Sequence, residues 1–345
     1  MKALFVGLGS IGQRHLRNLK KLRPEIELLA VRYKRVSPVL DNTNNVVEGI
    51  SISDHYNIKE FDSLSSALEE NPDIVFITNP TIHHIEVAKK ALLLGCFIFI
   101  EKPLSNDWSG IDELIEIEKK IGGKRISVGY QFRFHPALKL IKSLLAKKRI
   151  GNLTGVRIVN GEYMPNWHPY ENYQLSYAVR KDLGGGAIVT QIHDFDLALW
   201  LFGKPTKLFS VGGHLSDLEI DVEDSVQILI KFMKNSKLFP LTINLDYLQW
   251  PPERSISITG DQGSIKCDLI KMEVLINERI NDNIERKTFP DFNRNDLFIE
   301  EMTNFLAFFA GSEEPEVDLE NATESLRFAL AARDSMNSGK IINLL

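Results

Sequence analysis

The chain has 345 residues, 43% of them hydrophobic and 25% charged, with 41 basic and 46 acidic side chains and a net charge of −5. Such a composition fits a globular chain large enough for two domains, and its scattered cations exclude the basic stripe that nucleic acid demands. The longest apolar stretch, Ala91 to Ile100, has ten residues and is too short to cross a bilayer.

Met1 to Val6 reads as a short apolar strand, followed at once by Gly7-Leu8-Gly9-Ser10-Ile11-Gly12 and a helix expected from Gln13. Strand, glycine turn and helix in this order form a dinucleotide-binding fingerprint. The first glycine allows the tight turn, the second lets backbone approach a pyrophosphate, and the third lets the helix pack on the sheet. Because this motif fills the positions of a leader, no signal peptide is expected. Cys96 and Cys267 form no CxxC or zinc spacing. A reducing cytoplasm is the expected compartment, with no metal.

Further strands are expected at Glu27 to Arg32, Ile74 to Thr78 and Phe97 to Ile100. Helices are expected at Gln13 to Leu22, Ser63 to Glu70, Ile85 to Leu94 and Trp108 to Ile121. Alternating strands and helices predict a parallel sheet covered on both faces over residues 1–125. The second strand ends in Arg32-Tyr33-Lys34-Arg35 with no acid at its tip. An acid there grips the ribose of NAD and a cation accommodates the 2′-phosphate of NADP, so NADP is favoured over NAD.

Past a helix at Pro136 to Lys148, strand-like runs dominate: Thr154 to Glu162, Lys207 to His214, Ser225 to Met233, Leu238 to Leu245, Ser255 to Thr259 and Ser264 to Leu269. Their alternation predicts an α+β second domain, residues 126–320, on a mostly antiparallel sheet with one buried face. Helices return at Leu297 to Phe309 and Ala322 to Met336, and residues 321–345 are expected to pack back on the first domain.

Candidate chemistry clusters at a few places. Lys102, in Glu101-Lys102-Pro103, follows a buried strand and emerges at the carboxyl edge of the parallel sheet, where such folds bind ligands. His193 follows the Gly184-Gly185-Gly186 run and precedes a helix at Phe195 to Phe202. Tyr163, Trp167, His168, Tyr170, Tyr173 and Tyr177 make one segment rich in rings that can stack on a sugar, while Arg180 and Lys181 can hold a carboxylate or phosphate.

The glycine motif with His15, Asn79-Pro80 with His83 and His84, Glu101-Lys102-Pro103, Arg133-Phe134-His135-Pro136 and the glycine run ending in His193 together resemble the Gfo/Idh/MocA oxidoreductases. The resemblance covers essentially the whole chain. It implies an N-terminal Rossmann domain and a C-terminal domain with a large open sheet that often mediates oligomerisation, here a dimer or tetramer. It also implies NAD(P)-dependent chemistry on sugars or cyclitols. The cofactor would then lie against Gly7, Gly9, Ser10, Ile11, Gly12, Arg32, Asn79, Pro80, His83, Glu101 and Lys102, with His84 assigned no role.

Lys102 and His193 would be the catalytic pair, and the Lys102–Pro103 bond is expected cis. Arg133, Tyr163, Trp167, Tyr177, Arg180 and His193 would face the substrate, with acidic or nucleotide-linked sugars in view. Many members carry an aspartate four residues before the histidine, where this chain has Val189, so the choice of base between Lys102 and His193 stays open. Two rival readings keep the same fold: redox-assisted elimination or hydrolysis with no net cofactor change, and a non-catalytic cofactor-binding sensor.

Overall fold

Strands buried on both faces must be apolar throughout, and the first sheet is built of such strands. The computed structural model describes all residues except 33–36, 44, 168–171, 235–236, 281–282 and 345. Its contacts divide the chain into two units, residues 1–130 with 298–323, and residues 131–297 with 324–345.

In the first unit, β1 (Lys2–Val6), β2 (Glu27–Val31), β3 (Lys59–Phe61), β4 (Ile74–Ile77), β5 (Phe97–Glu101) and β6 (Ile126–Gly129) form a six-stranded sheet in the order β3-β2-β1-β4-β5-β6. Every pairing in it is parallel. The strand order reverses beside β1, so the crevice between the carboxyl ends of β1 and β4 is the ligand position of this fold. Helices α1 (Ser10–Leu22), α2 (His84–Leu93) and α3 (Ile111–Lys120) connect the strands. Helix α3 starts three residues later than expected because Gly110, at φ 73°, stands before it. Strands β3 and β6, of three and four residues, were too short to show a period in the sequence.

The second unit holds β7 (Leu153–Gly161), β8 (Pro205–Gly213), β9 (Ser225–Lys234), β10 (Lys237–Asp246), β11 (Glu253–Gly260), β12 (Gly263–Asp268), β13 (Glu273–Glu278), β14 (Asn283–Thr288) and β15 (Ile342–Asn343). They make a nine-stranded sheet in the order β14-β13-β12-β11-β7-β10-β9-β8-β15. The β7/β10 pairing is parallel and the others antiparallel, as the alternating pattern predicts. On β9, Val226, Ile228, Ile230 and Phe232 are buried while Gln227, Leu229 and Lys231 face outward. Helices α4 (Pro136–Ala146) and α5 (His193–Phe202) belong to this unit.

Two long helices cross the division. In α6 (Arg294–Phe309), Met302 and Phe305 join Phe5, Phe76 and Phe99 in the core of the first unit, with Phe305 5.4 Å from Phe76 and 5.5 Å from Phe99 between ring centres. In α7 (Leu319–Ser338), Phe328 packs on Phe195 and Phe232 in the second unit, and Ser335 Oγ receives the Ser210 N–H at 2.9 Å. This grouping differs from the expected division. Residues 298–323 complete the first unit, and residues 324–345, expected against it, group with the second, because the aromatic faces of the two helices serve different cores.

Candidate active site

The glycine turn is shaped by what surrounds it. Gly7 has φ 96°, and a Cβ there would lie 2.8 Å from the Asn79 backbone. A Cβ on Gly12 would lie 2.5 Å from the Gly7 carbonyl oxygen and 2.7 Å from Thr78 Oγ1, whose hydroxyl donates to that carbonyl at 2.6 Å. Both glycines are therefore fixed by close approach of backbone.

Gly9 is different, since nothing lies within 4 Å of the position its Cβ would take. Helix α1 begins at Ser10, three residues earlier than expected, with no side-chain cap and no acid in its first turn. Its leading N–H groups and positive dipole end suit an anion. Beside it, Asn79 Oδ1 is buried with no hydrogen-bond partner. An open glycine, an uncapped helix start and an unused acceptor at the switch point fit a dinucleotide.

Glu101 closes β5 and fixes the start of the loop that carries Lys102. His15 Nε2 bonds Glu101 Oε1 at 2.6 Å, both side chains buried, and the Lys102 backbone N–H donates to Glu101 Oε2 at 3.1 Å. The His15 ring lies edge-on to Phe99 and Phe298 at 4.8 and 5.8 Å. One carboxylate thus ties α1 to the backbone at Lys102. The Lys102–Pro103 bond is cis.

His84 holds the same region from the other side. Its Nδ1 meets the Pro103 carbonyl and its Nε2 the Asn79 carbonyl, each at 2.9 Å. Burial pushes the imidazole below its usual range, against the pull of both carbonyls. A neutral ring has one N–H to share between two acceptors, so His84 joins the loops after β4 and β5 as a clamp. His83, the expected cofactor-side residue, is exposed on the 3-10 turn Thr81–His83. The signal that separates them is helical spacing: His84 shares a face with Ala88 and Ala91, both fully buried. Arg32, at the tip of β2, donates to Glu60 Oε1 at 2.8 Å and to the Ser37 carbonyl at 3.3 Å. Tyr33, Lys34 and Arg35 lie outside the described residues, as do His168 and Tyr170.

In the second unit, His193 opens α5 and is 5% exposed. The Phe132 ring meets it edge-on at 4.9 Å. Arg133, expected on the substrate, is turned to Asp196, with Nε to Oδ2 at 3.0 Å and Nη2 to Oδ1 at 2.7 Å, and both side chains are buried. Ser325 Oγ donates to the same carboxylate at 3.1 Å. Arg180 is likewise engaged, its Nε and Nη2 on the two oxygens of Asp182 at 2.9 and 2.5 Å. Trp167 packs edge-on to buried Tyr247 at 5.2 Å, and Tyr163 and Tyr177 are partly buried. Val189 is fully buried in the short helix Ala187–Thr190. His135 caps α4, accepting the Ala137 N–H at 3.2 Å, and burial with the nearby Arg254 charge pushes it down to about 4.

The sequence reading missed Arg254. Its guanidinium stacks 4.0 Å from the centre of the Phe132 ring, and Nη2 lies 3.6 Å from Asp194 Oδ2, which accepts from Asn160 Nδ2 at 2.7 Å. Among the described residues no group of three or more His, Cys, Asp or Glu side chains is placed to hold a metal. No helix among them is long and apolar enough to cross a membrane.

A 3-2-1-4-5-6 parallel sheet, an open glycine turn at its switch point and a lysine fixed at the adjacent strand end define an NAD-binding oxidoreductase. Residues 1–130 match the model of the oxidoreductase family with an NAD-binding Rossmann fold, and residues 138–266 match the Gfo/Idh/MocA C-terminal domain. The chain belongs to the Gfo/Idh/MocA oxidoreductase family. Myo-inositol 2-dehydrogenase of Thermotoga maritima is 26% identical over 351 aligned positions, spanning 100% of this chain and 98% of the relative.

Among solved structures, the WlbA dehydrogenase of Bordetella pertussis, in complex with NADH and UDP-GlcNAcA, superposes with a TM-score of 0.79 at 21% identity, over 100% of this chain and 99% of the other. UDP-N-acetylglucosamine 3-dehydrogenase GnnA of Acidithiobacillus ferrooxidans gives 0.74 at 21% identity over 98% of each. At these identities the structural likeness speaks for the fold.

Proposed function

We propose that this protein is an NAD(P)-dependent dehydrogenase or reductase that interconverts a secondary alcohol and a ketone on a sugar derivative. The observation that carries this reading is the anchoring of Lys102 by Glu101, itself bonded to His15, at the carboxyl end of β5. Relatives that act on inositol and on nucleotide-linked sugars support the substrate class. When bound, the nicotinamide supplies or accepts the hydride. Lys102 orients the reacting hydroxyl and moves its proton, and His193 assists as a second acid–base group. The test is turnover across a panel of cyclitols and sugars, with the ketone product counted against NADH. Product formed with no net NADH would point to the elimination or hydrolysis chemistry, and cofactor binding with no turnover to the sensor.

Cofactor preference turns on Arg32. A 2′-phosphate would share this guanidinium with the Glu60 carboxylate, already 2.8 Å away. That arrangement favours NAD(H) over the NADP expected from the cations alone, and the NADH in the Bordetella neighbour is in keeping with it. Glu60→Gln should shift the ratio of NADH to NADPH dissociation constants roughly tenfold towards NADPH, the scale of one charge-assisted hydrogen bond. An unchanged ratio in titrations of both cofactors would show that Arg32 does not read the ribose.

The protein acts in the cytoplasm as a homo-oligomer built on the open face of the second sheet, where Val211, Leu229, Met233 and Leu238 are exposed.

A further inference from the structure

We propose that Arg254 is the substrate-reading cation of this enzyme, and that the group it receives is a carboxylate on the sugar. The inference deepens the sugar-dehydrogenase reading above and rests on it.

Arg254 is the second residue of β11 and sits across from Asn160 of β7 in the sheet register. Its Nε and Nη2 are buried and have no hydrogen-bond partner. Those two N–H groups form the side-on fork that matches the two oxygens of a planar carboxylate. Buried guanidinium donors are normally satisfied, because leaving them unmet forfeits their hydration with nothing in return. The neighbours do not meet the need. Asp194 lies 3.6 Å from Nη2, within ion-pair range but beyond a hydrogen bond, and its nearer oxygen is occupied by Asn160. His135 has no negative charge to offer, and Arg294 adds a second cation nearby.

Place in the unit supports the assignment. Phe132 lies between the guanidinium, stacked at 4.0 Å, and His193, edge-on at 4.9 Å, so the cation stands one ring away from the proposed acid–base histidine. The Arg254 side chain keeps 23% of its surface exposed, while Nε and Nη2 themselves are covered, so a carboxylate reaches the fork only as the covering side chains give way. Of the other candidate cations of this unit, Arg133 is committed to Asp196 and Arg180 to Asp182, and Lys181 is exposed.

The charge balance favours a carboxylate over a phosphate. The cations Arg254 and Arg294 are offset by Asp194 and Glu162, so the site carries no surplus positive charge and a dianion is repelled more than a monoanion.

The experiment uses the full chain saturated with NADH and measures binding calorimetrically. The probes are D-glucuronate against D-glucose, UDP-glucuronate against UDP-glucose, and D-glucose 6-phosphate. In at least one matched pair the acid should bind the wild type roughly ten- to a hundredfold tighter than its neutral partner. Arg254→Met, of similar length but uncharged, should reduce that gap to about twofold with NADH affinity kept. Arg254→Lys, which keeps the charge and loses the fork, should fall between.

Equal binding of acid and neutral sugar in the wild type, or a gap retained in Arg254→Met, overturns the proposal. So does glucose 6-phosphate binding more tightly than glucuronate through Arg254, since that makes the site one for phosphate. Should Arg254→Met lose NADH binding through misfolding, the wild-type comparison and the Lys variant still decide. Turnover of neutral sugars that depends on Lys102, without any preference for acids, would sink this inference and leave the dehydrogenase reading standing.

Discussion

Lys102→Met should lower kcat by about 10²–10⁴ while NADH binds as before, the usual worth of a positioned acid–base group. Methionine keeps the length of the side chain and removes its proton-carrying nitrogen. The backbone that presents it should not move, because the Glu101 contact is made by the Lys102 N–H, which the substitution retains. The loss should therefore appear in turnover and not in cofactor affinity. The check is stopped-flow reduction of NAD with any sugar that the wild type oxidises, together with an NADH titration. A mutant within a few-fold of wild type would remove Lys102 from the chemistry.

The second large effect concerns stability. The Arg133–Asp196 pair is 7% and 1% exposed and bonded through two parallel contacts, with Ser325 on the same carboxylate. Asp196→Ala leaves a buried guanidinium without its counter-charge, and breaking such a pair costs about 3–5 kcal/mol. At about 2–4 °C per kcal/mol for a unit of this size, the melting point should fall by roughly 6–20 °C. The double variant Arg133→Met with Asp196→Leu should recover much of the loss, since removing both charges avoids the orphan. Arg180→Ala, which breaks a pair at a partly exposed loop, should leave the melt nearly unchanged. A drop under about 2 °C for Asp196→Ala, where about 6–20 °C is expected, would mean that the buried pair contributes little.

The contrast between these arginines shows where the sequence was legible. The strand, glycine turn and helix at the start, and Glu101-Lys102-Pro103 at the end of β5, are contiguous motifs whose geometry comes from local rules. Both were legible to within a few residues, the helix starting at Ser10 and the strand running one residue further to Glu101. His83 against His84 was decidable from helical spacing, because one faces solvent and the other the apolar side of α2.

Cations were not decidable in that way. Arg133 and Arg254 look alike in a sequence, and their availability depends on carboxylates brought near from 63 and 60 positions away respectively, one bonded and one held at 3.6 Å. Arg254 in particular lies just before the run Ser255 to Thr259 that reads as a strand, and the strand itself starts at Glu253. The division of the chain was also hidden, since it depends on which aromatic core each of the last two helices joins.

The return of residues 298–323 to the first unit bears on modularity. A gene fragment cut at the visible end of the nucleotide-binding motif, residues 1–130, would lack the helix that covers Phe5, Phe76 and Phe99, and the segment whose Val317 carbonyl receives the Val128 N–H at 3.0 Å. Such a fragment would present a wide aromatic patch to water and tend to aggregate. The dinucleotide-binding part is thus not a detachable cassette. It is complete only once nearly the whole chain has been made, so grafting or swapping it would require carrying both pieces and reconnecting them, with soluble expression of fragment 1–130 alone as the simplest contrary result.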